Sequence, residues 1–399
     1  MECSTPTFDV NIDPSGLVVD LDSLYAALAG LQDKRHARGI RYALVTVLTY
    51  LVLAKLSGQD SLVGIAQWIR LRTKILGQAF PLKKPRAPCA NTYRNILGQV
   101  IEVEEFELVV REFFAHQPKA GQSIVIALDG KTLRGTITAA HPRGQHLLAA
   151  YLPAEGWVIF QVEVDGKENE ISAAPRVLKQ LDLRGKIVTG DAMFAQRELS
   201  LHIIEAGGDY VWTVKDNQAT LRQDIELLFQ PEKTVKGFSA GTQDFRTAQT
   251  LEKNRGRLER RTLTVSAELK EHLDWPGAEQ VFKLERSVER LPDHPVTHEV
   301  VYGITSLSPT DVTADELLHI VRCHWGIENG LHYRRDVTFH EDACHLKPGQ
   351  APHALAVINN LVLGLVFRLG WANVAEARRY FDADFDKAQK VILRRLSDF

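Results

Sequence analysis

The sequence predicts an α/β protein: an all-helical N-terminal domain, then a mixed-sheet core carrying a β-rich insertion. Three observations predict it. Residues 20–118 show helical periodicity with capping residues at the expected places. From Ser123 onward, short apolar runs ending in Gly or Asp-Gly alternate with amphipathic stretches, as in strands interleaved with helices. Between residues 232 and 305 that rhythm yields to β-like runs in polar surroundings. The 399 residues are 45% apolar, with 48 Lys and Arg against 50 Asp and Glu. That composition excludes a disordered chain and allows two or three domains.

In the first domain (1–118), Leu21-Asp22-Ser23 caps a helix running through Leu31. Tyr42 to Leu56 is apolar nearly all round and predicts a buried helix stopped at Gly58. Helices follow over Ser61–Leu71, Asn91–Val100 and Glu102–His116, with a Pro-rich loop (Pro81, Pro85, Pro88) among them and a linker, 117–121, after them. The first part of the core spans 122–231. It reads as strand (Ile124–Leu128), strand (His146–Tyr151), strand (Trp157–Val164), helix (Ile171–Leu183), strand (Lys186–Thr189), helix (Gln196–Ala206) and strand (Tyr210–Val214). The insertion, 232–305, holds strands at Thr262–Ser266, Gln280–Glu285 and Glu299–Ile304. The last segment, 306–399, returns to helix from Asp315 to about Arg335, capped by Thr313, and ends in helices over Pro352–Leu369 and Val374–Leu396.

Four scattered cysteines, Cys3, Cys89, Cys323 and Cys344, exclude a disulfide scaffold and fit a reducing cytosol. The polar N-terminus lacks a signal-peptide pattern. The apolar runs Tyr42–Ala54 and Ala354–Phe367 are shorter than the ~20 residues that span a bilayer, so a soluble, cytoplasmic protein without a membrane partner is expected. The net charge of −2 gives no sign of nucleic acid, but the charge is uneven. Residues 61–101 carry seven cations (Arg70, Arg72, Lys74, Lys83, Lys84, Arg86, Arg94) and no acid. A solvated face and a phosphate-contacting patch both fit that run.

Asp129 and Asp191 each follow a short buried strand and adjoin a glycine. Functional groups project from such strand ends in α/β sheets, and two carboxylates on neighbouring strands suit Mg²⁺ or Mn²⁺. Each Asp also suits a simple turn cap. On a helix, His324, Glu328, His332 and Arg335 share one face by their spacing of 4, 4 and 3, with Ile327 and Leu331 beside them packing inward. A carboxylate among two His and an Arg suits a site receiving metal and phosphate. Cys323, His324, His332, His340, Cys344 and His345 raise a zinc alternative, but no CxxC pair supports it. A serine or cysteine hydrolase lacks its nucleophile-elbow motif.

At ALDGKTLRGT (127–136), IVTGDAMFAQRE (187–198), GGDYVWTVKDNQ (207–218) and HWGIENGLHYRRDVTFHED (324–342) the chain resembles DDE insertion-sequence transposases of the H-repeat-associated type. DKRHARGIRYALVTVLTYLVLAKLSG (33–58) is similar to the helical domain associated with that class, so the resemblance spans about residues 20–370 in order. It implies an RNase H-like core with a catalytic, metal-holding triad falling on Asp129, Asp191 and Glu328. The wider superfamily's tyrosine-arginine-glutamate-lysine signature falls on Val321, His324, Glu328 and Arg335, retaining only the Glu.

The resemblance further implies two Mg²⁺ or Mn²⁺ ions per site, and hydrolysis and strand transfer at double-stranded DNA, both terminal inverted repeats and target. It implies a homodimer on paired ends and a nucleoid-associated location. The 137-residue gap from Asp191 to Glu328 exceeds a simple core, and the resemblance implies an insertion there. Within it, Lys253–Arg261 has five cations and one acid, so Arg255 and Arg257 are expected to contact DNA. Lys131, Arg134, Lys215, Asn217, His324 and Arg335 are expected near the scissile phosphate or flanking DNA. An inactive or domesticated DNA-binding descendant is the alternative reading.

Overall fold

The computed structural model describes residues 10–12, 18–80, 86–117, 122–166, 168–230, 244–254, 256–290, 295–346 and 349–396. Two strands, β1 (Val10–Ile12) and β2 (Val18–Asp20), pair antiparallel ahead of the helices. The N-terminal segment is therefore not all-helical. Its helices are α1 (Leu24–Ala29), α2 (Leu44–Leu56), α3 (Leu62–Leu71), α4 (Thr73–Ala79), α5 (Ala90–Asn95), continued by a π turn over Ile96–Val100, and α6 (Val103–Ala115). Ser23 and Ser61 cap α1 and α3 by accepting from Ala26 N and Gly64 N. The linker 118–121 and Lys83 and Lys84 lie outside the described residues.

Beyond residue 122 come β3 (Val125–Leu133), β4 (Gln145–Leu152), β5 (Trp157–Val164), α7 (Glu170–Leu178), β6 (Ile187–Gly190), α8 (Arg197–Glu205), β7 (Asp209–Val214) and α9 (Ala219–Leu228). Next are β8 (Arg246–Asn254), β9 (Arg257–Ser266), β10 (Gln280–Arg290) and β11 (Thr297–Thr305), then α10 (Ala314–His324). Thr313 opens α10 with a capping box closed by Glu316. Past α10, π-type turns cover Glu328–His332 and Arg334–Thr338. Three helices end the chain: α11 (Gln350–Arg368), α12 (Val374–Ala383) and α13 (Phe385–Leu393).

The chain forms two compact units whose boundaries cut across the four segments read from sequence. The first comprises residues 1–122, 130–167 and 328–399. The helices α2 and α11 are its core, buried on nearly every face. Gly364 of α11 meets Phe114 of α6 so closely that a Cβ there would lie 2.5 Å from the ring. By length and composition α11 is apolar enough to cross a membrane, yet 83% of its most apolar window is buried within the protein. β4 and β5 form an antiparallel hairpin in this unit.

The second unit comprises residues 123–129 and 168–327. It is a mixed sheet in the order β3-β6-β7-β11-β10-β9-β8. β3, β6 and β7 are parallel; β11 joins β7 antiparallel, and β10, β9 and β8 follow antiparallel. The segment expected as an insertion therefore continues the core sheet. Gly303 of β11 permits that junction, because a Cβ there would lie 2.0 Å from Phe282 Cζ and 2.5 Å from Trp212 O. Leu317, Leu318, Ile320 and Val321 of α10 pack on Val125, Ile187, Val211, Leu263 and Phe282, seating α10 across this sheet.

Candidate active site

β3 and β6 run parallel with Val125 opposite Ile187 and Leu128 opposite Gly190. Asp129 and Asp191 are the next residues on each strand. Each lies one residue beyond the last paired position, so the two parallel strands carry both residues to the same edge of the sheet. Asp129 does not end its strand as the sequence suggested. β3 runs on to Leu133, and what ends after Leu128 is its pairing with β6.

Asp191 has extended backbone (φ −63°, ψ 166°) and starts the short turn Ala192–Phe194. Gly190 precedes it because a Cβ there would lie 2.8 Å from Phe194 Cδ2 and 2.9 Å from Trp212 Cζ3. Asn217 fixes the same turn by donating to Ala192 O at 2.6 Å, and Gln218 donates to Ala195 O at 3.0 Å. His324, at the end of α10, lies with Nε2 3.4 Å from Asp191 Oδ1 and Nδ1 3.3 Å from the Thr189 hydroxyl. The Asp191 carboxyl is held below the ordinary aspartate range, first by its hydrogen bond with His324, against the opposing effect of burial, with His324 and Lys215 adding electrostatically. It is therefore ionised at neutral pH, and its side chain is 58% exposed.

The other expected residues divide. Lys215 is exposed beside Asp191, whereas Asn217 spends its amide on the Asp191 turn. Arg257 is exposed at the start of β9; Arg255 lies outside the described residues. In the first unit, Glu328 is exposed at the start of the π-type turns. Lys131 is 7% exposed and its ammonium is ion-paired with Asp336 and lies 3.8 Å from Asp342 Oδ1. Arg134 points 78% of its side chain to solvent.

Arg335 contradicts the expectation of a DNA contact. It is fully buried, and its Nε donates to both Glu341 oxygens at 3.1 and 2.9 Å. Nη2 lies 2.8 Å from Glu341 Oε2 but does not line up as a donor. The π-type turns also undo the single face expected for His324, Glu328, His332 and Arg335: Glu328 is exposed while His332 and Arg335 are buried. Among the described residues no three His, Cys, Asp or Glu side chains gather closely enough to hold a metal ion, and this applies to Asp129, Asp191 and Glu328 as well as to the zinc alternative. Sequence reasoning missed Thr189 and the role of His324 beside Asp191. The two-residue spacing of Thr189 from Asp191 was the available signal, since an extended segment would set both on one side.

The family model described as "Transposase DDE domain" matches residues 120–365, and one described as "DDE_Tnp_1-associated" matches residues 25–114. Two proteins of Escherichia coli K12 align over 355 residues, covering 87% of this chain and 91% of each. They are "Putative protein YbfL", 29% identical, and "H repeat-associated putative transposase YhhI", 28% identical. "H repeat-associated putative transposase YbfD" of the same organism is 27% identical over 212 residues, 53% of this chain and 83% of that protein. Among solved structures, a piggyBac transposase synaptic complex with hairpin DNA overlays with a TM-score of 0.43 and 13% identity, over 94% of this chain and 79% of that one.

Proposed function

The chain belongs to the DDE transposase family, and on that footing we propose that it hydrolyses phosphodiesters at the ends of an insertion sequence and transfers the freed strands, with Asp129, Asp191 and Glu328 as its catalytic triad. The observation that supports this reading is that Asp129 and Asp191 each directly follow the last paired residues, Leu128 and Gly190, of adjacent parallel strands. The strand, strand, strand, helix, strand, helix, strand succession from β3 to β7 supports an RNase H-like core.

The donor chemistry fits hard divalent cations: two carboxylates from one sheet edge, one of them held ionised. Asp129, Asp191 and Glu328 are the residues that would hold two Mg²⁺ or Mn²⁺ ions, which when bound supply Lewis-acid activation of water or a 3′-hydroxyl and stabilisation of the leaving oxygen. The chain's own contribution is position. Asn217 and Gln218 anchor the turn that carries Asp191. Lys215, Arg134 and Arg257, all exposed, attract and orient the phosphates of double-stranded DNA at the inverted repeats and target. Within the first unit, Arg70 and Arg86 line a groove of about 660 Å³ between α3 and residues 86–90, a further phosphate-contacting surface in the basic stretch 61–101. Joining two ends calls for a homodimer on paired DNA ends.

The test is an oligonucleotide or plasmid carrying the element's terminal repeats, incubated with Mg²⁺. Asp129→Ala, Asp191→Ala and Glu328→Ala each abolish cleavage while gel-shift affinity for the ends persists. Substantial cleavage by any of the three overturns the triad.

A further inference from the structure

We propose that His324 is a positioning residue for Asp191, clamped between Thr189 on one side and the Asp191 carboxylate on the other, so that Oδ1 is held by the imidazole and the remaining oxygen is left to the cation. The inference rests on the reading of Asp191 as a cation-holding residue. It assigns His324 a task different from the phosphate contact that its place in the sequence suggests.

The geometry sets the clamp within a single unit. Thr189 lies in β6 and Asp191 directly follows that strand, and both side chains reach the His324 ring. Thr189 is 1% exposed and His324 8%. α10 is locked over the sheet by Leu317, Ile320 and Val321, which delivers its last residue, His324, onto that edge. Both ring nitrogens are engaged, Nδ1 with Thr189 Oγ1 at 3.3 Å and Nε2 with Asp191 Oδ1 at 3.4 Å.

A hydrogen bond from the ring to Asp191 calls for the proton on Nε2. An ionised carboxylate only accepts, so a lone pair on Nε2 would face it unfavourably. If the Thr189 hydroxyl donates to Nδ1, the ring is the neutral Nε2–H tautomer. If that hydroxyl donates instead to Ile126 O, 3.4 Å away, then Nδ1–H donates to Thr189 and Nε2 still keeps its proton. Either arrangement presents an N–H to Asp191. The partner that orients a ligating carboxylate commonly matters tenfold or more to cation affinity.

Three variants of the full chain test this: His324→Ala; His324→Gln, whose amide can still donate to Asp191; and Thr189→Val, which keeps shape and deletes the hydroxyl. The first readout needs neither cation nor DNA. In ¹⁵N-histidine-labelled protein the ring signals that vanish in His324→Gln report a protonated Nε2, and Thr189→Val shifts them. The second is the Mg²⁺ concentration for half-maximal cleavage, which His324→Ala raises about tenfold and His324→Gln returns most of the way. Combining Thr189→Val with His324→Ala adds nothing to His324→Ala alone, because the hydroxyl acts through the ring.

An unprotonated Nε2, a wild-type Mg²⁺ requirement in His324→Ala, or additive effects of the two substitutions overturns the clamp. These failures are separable from failure of the proposed function. If the wild type does not cleave or Asp191→Ala still does, the function falls while the nitrogen signals still report on the clamp. If Asp191→Ala is dead and His324→Ala behaves as wild type, the clamp falls alone.

Discussion

Replacing Arg335 separates a structural cation from a DNA contact. Its side chain is fully buried, and Glu341, 6% exposed, accepts from Arg335 Nε at 3.1 and 2.9 Å and from Asn359 Nδ2 at 2.8 Å. Arg335→Ala leaves a buried carboxylate with the Asn359 amide as its remaining directed donor in that cluster. Stranding one partner of a buried pair costs about 3–5 kcal/mol. Nη1 and Nη2 of Arg335 lack directed hydrogen-bond partners, which lowers what the pair contributes and favours the bottom of that range, about 3 kcal/mol. For a unit of this size that corresponds to a melting transition about 6–12 °C lower. Calorimetry at pH 7 reads it, with the unit's own transition followed because the chain has two units.

The double variant Arg335→Met, Glu341→Leu recovers most of the loss, since it removes both charges together. Acid gives a second reading. Burial pushes the Glu341 carboxyl up, but the Arg335 charge and hydrogen bonds from Arg335 and Asn359 prevail and hold it below the ordinary glutamate range. Its contribution is complete above the unfolded value of about 4.3 and is lost as pH falls through that value towards the folded one. Wild-type stability therefore drops on acidification, and Glu341→Gln flattens that part of the curve. A normal melting temperature in Arg335→Ala together with weakened DNA binding refutes the reasoning and reinstates Arg335 as a phosphate contact.

Two further outcomes follow from the same structure. Gly303→Ala forces a Cβ against Phe282 and the Trp212 carbonyl, and lowers stability by about 3 kcal/mol, read as a lower urea midpoint; an unchanged midpoint would mean the β7–β11 junction is looser than drawn. Lys131→Met leaves Asp336 and Asp342 without their shared cation and costs about 1–2 kcal/mol in melting experiments. Arg134→Ala, by contrast, changes stability by less than about 0.5 kcal/mol while weakening DNA binding and its salt dependence. The reverse pattern between these two variants would exchange their roles.

Local chemistry made much of this fold legible. Ser23 and Thr313 announced helices that form where their side chains cap them. The order of elements from β3 to β7 follows from apolar runs of strand length separated by amphipathic stretches. The errors come from interactions that local pattern does not encode. Asp129-Gly130 carries a turn signal, but β3 continues through it to Leu133. β8 has the sequence RTAQTLEKN, polar and without a clean alternation, and is a strand because β9 supplies its hydrogen bonds. That residues 246–305 extend the core sheet depends on β11 meeting β7 across some ninety residues, a pairing no local window contains.

The site was legible to the same depth. Asp129 and Asp191 stand out in the sequence because a carboxylate after a buried strand is locally conspicuous, and that their strands are parallel neighbours was not readable until the strands paired. The helical wheel failed from Glu328 onward for one reason. It assumes 3.6 residues per turn, and the backbone there closes i→i+5 turns. Wider turns rotate each later residue away from its expected direction. Glu328, at the start, stays exposed, whereas Arg335, seven residues on, is carried inward to Glu341. The same widening separates residues that sequence had assigned to one face: an exposed glutamate, and a buried guanidinium that anchors the segment carrying it. Changes at Arg335 should therefore act on Glu328 through the fold of that segment rather than through DNA, and the stability of Arg335→Ala measures that anchor directly.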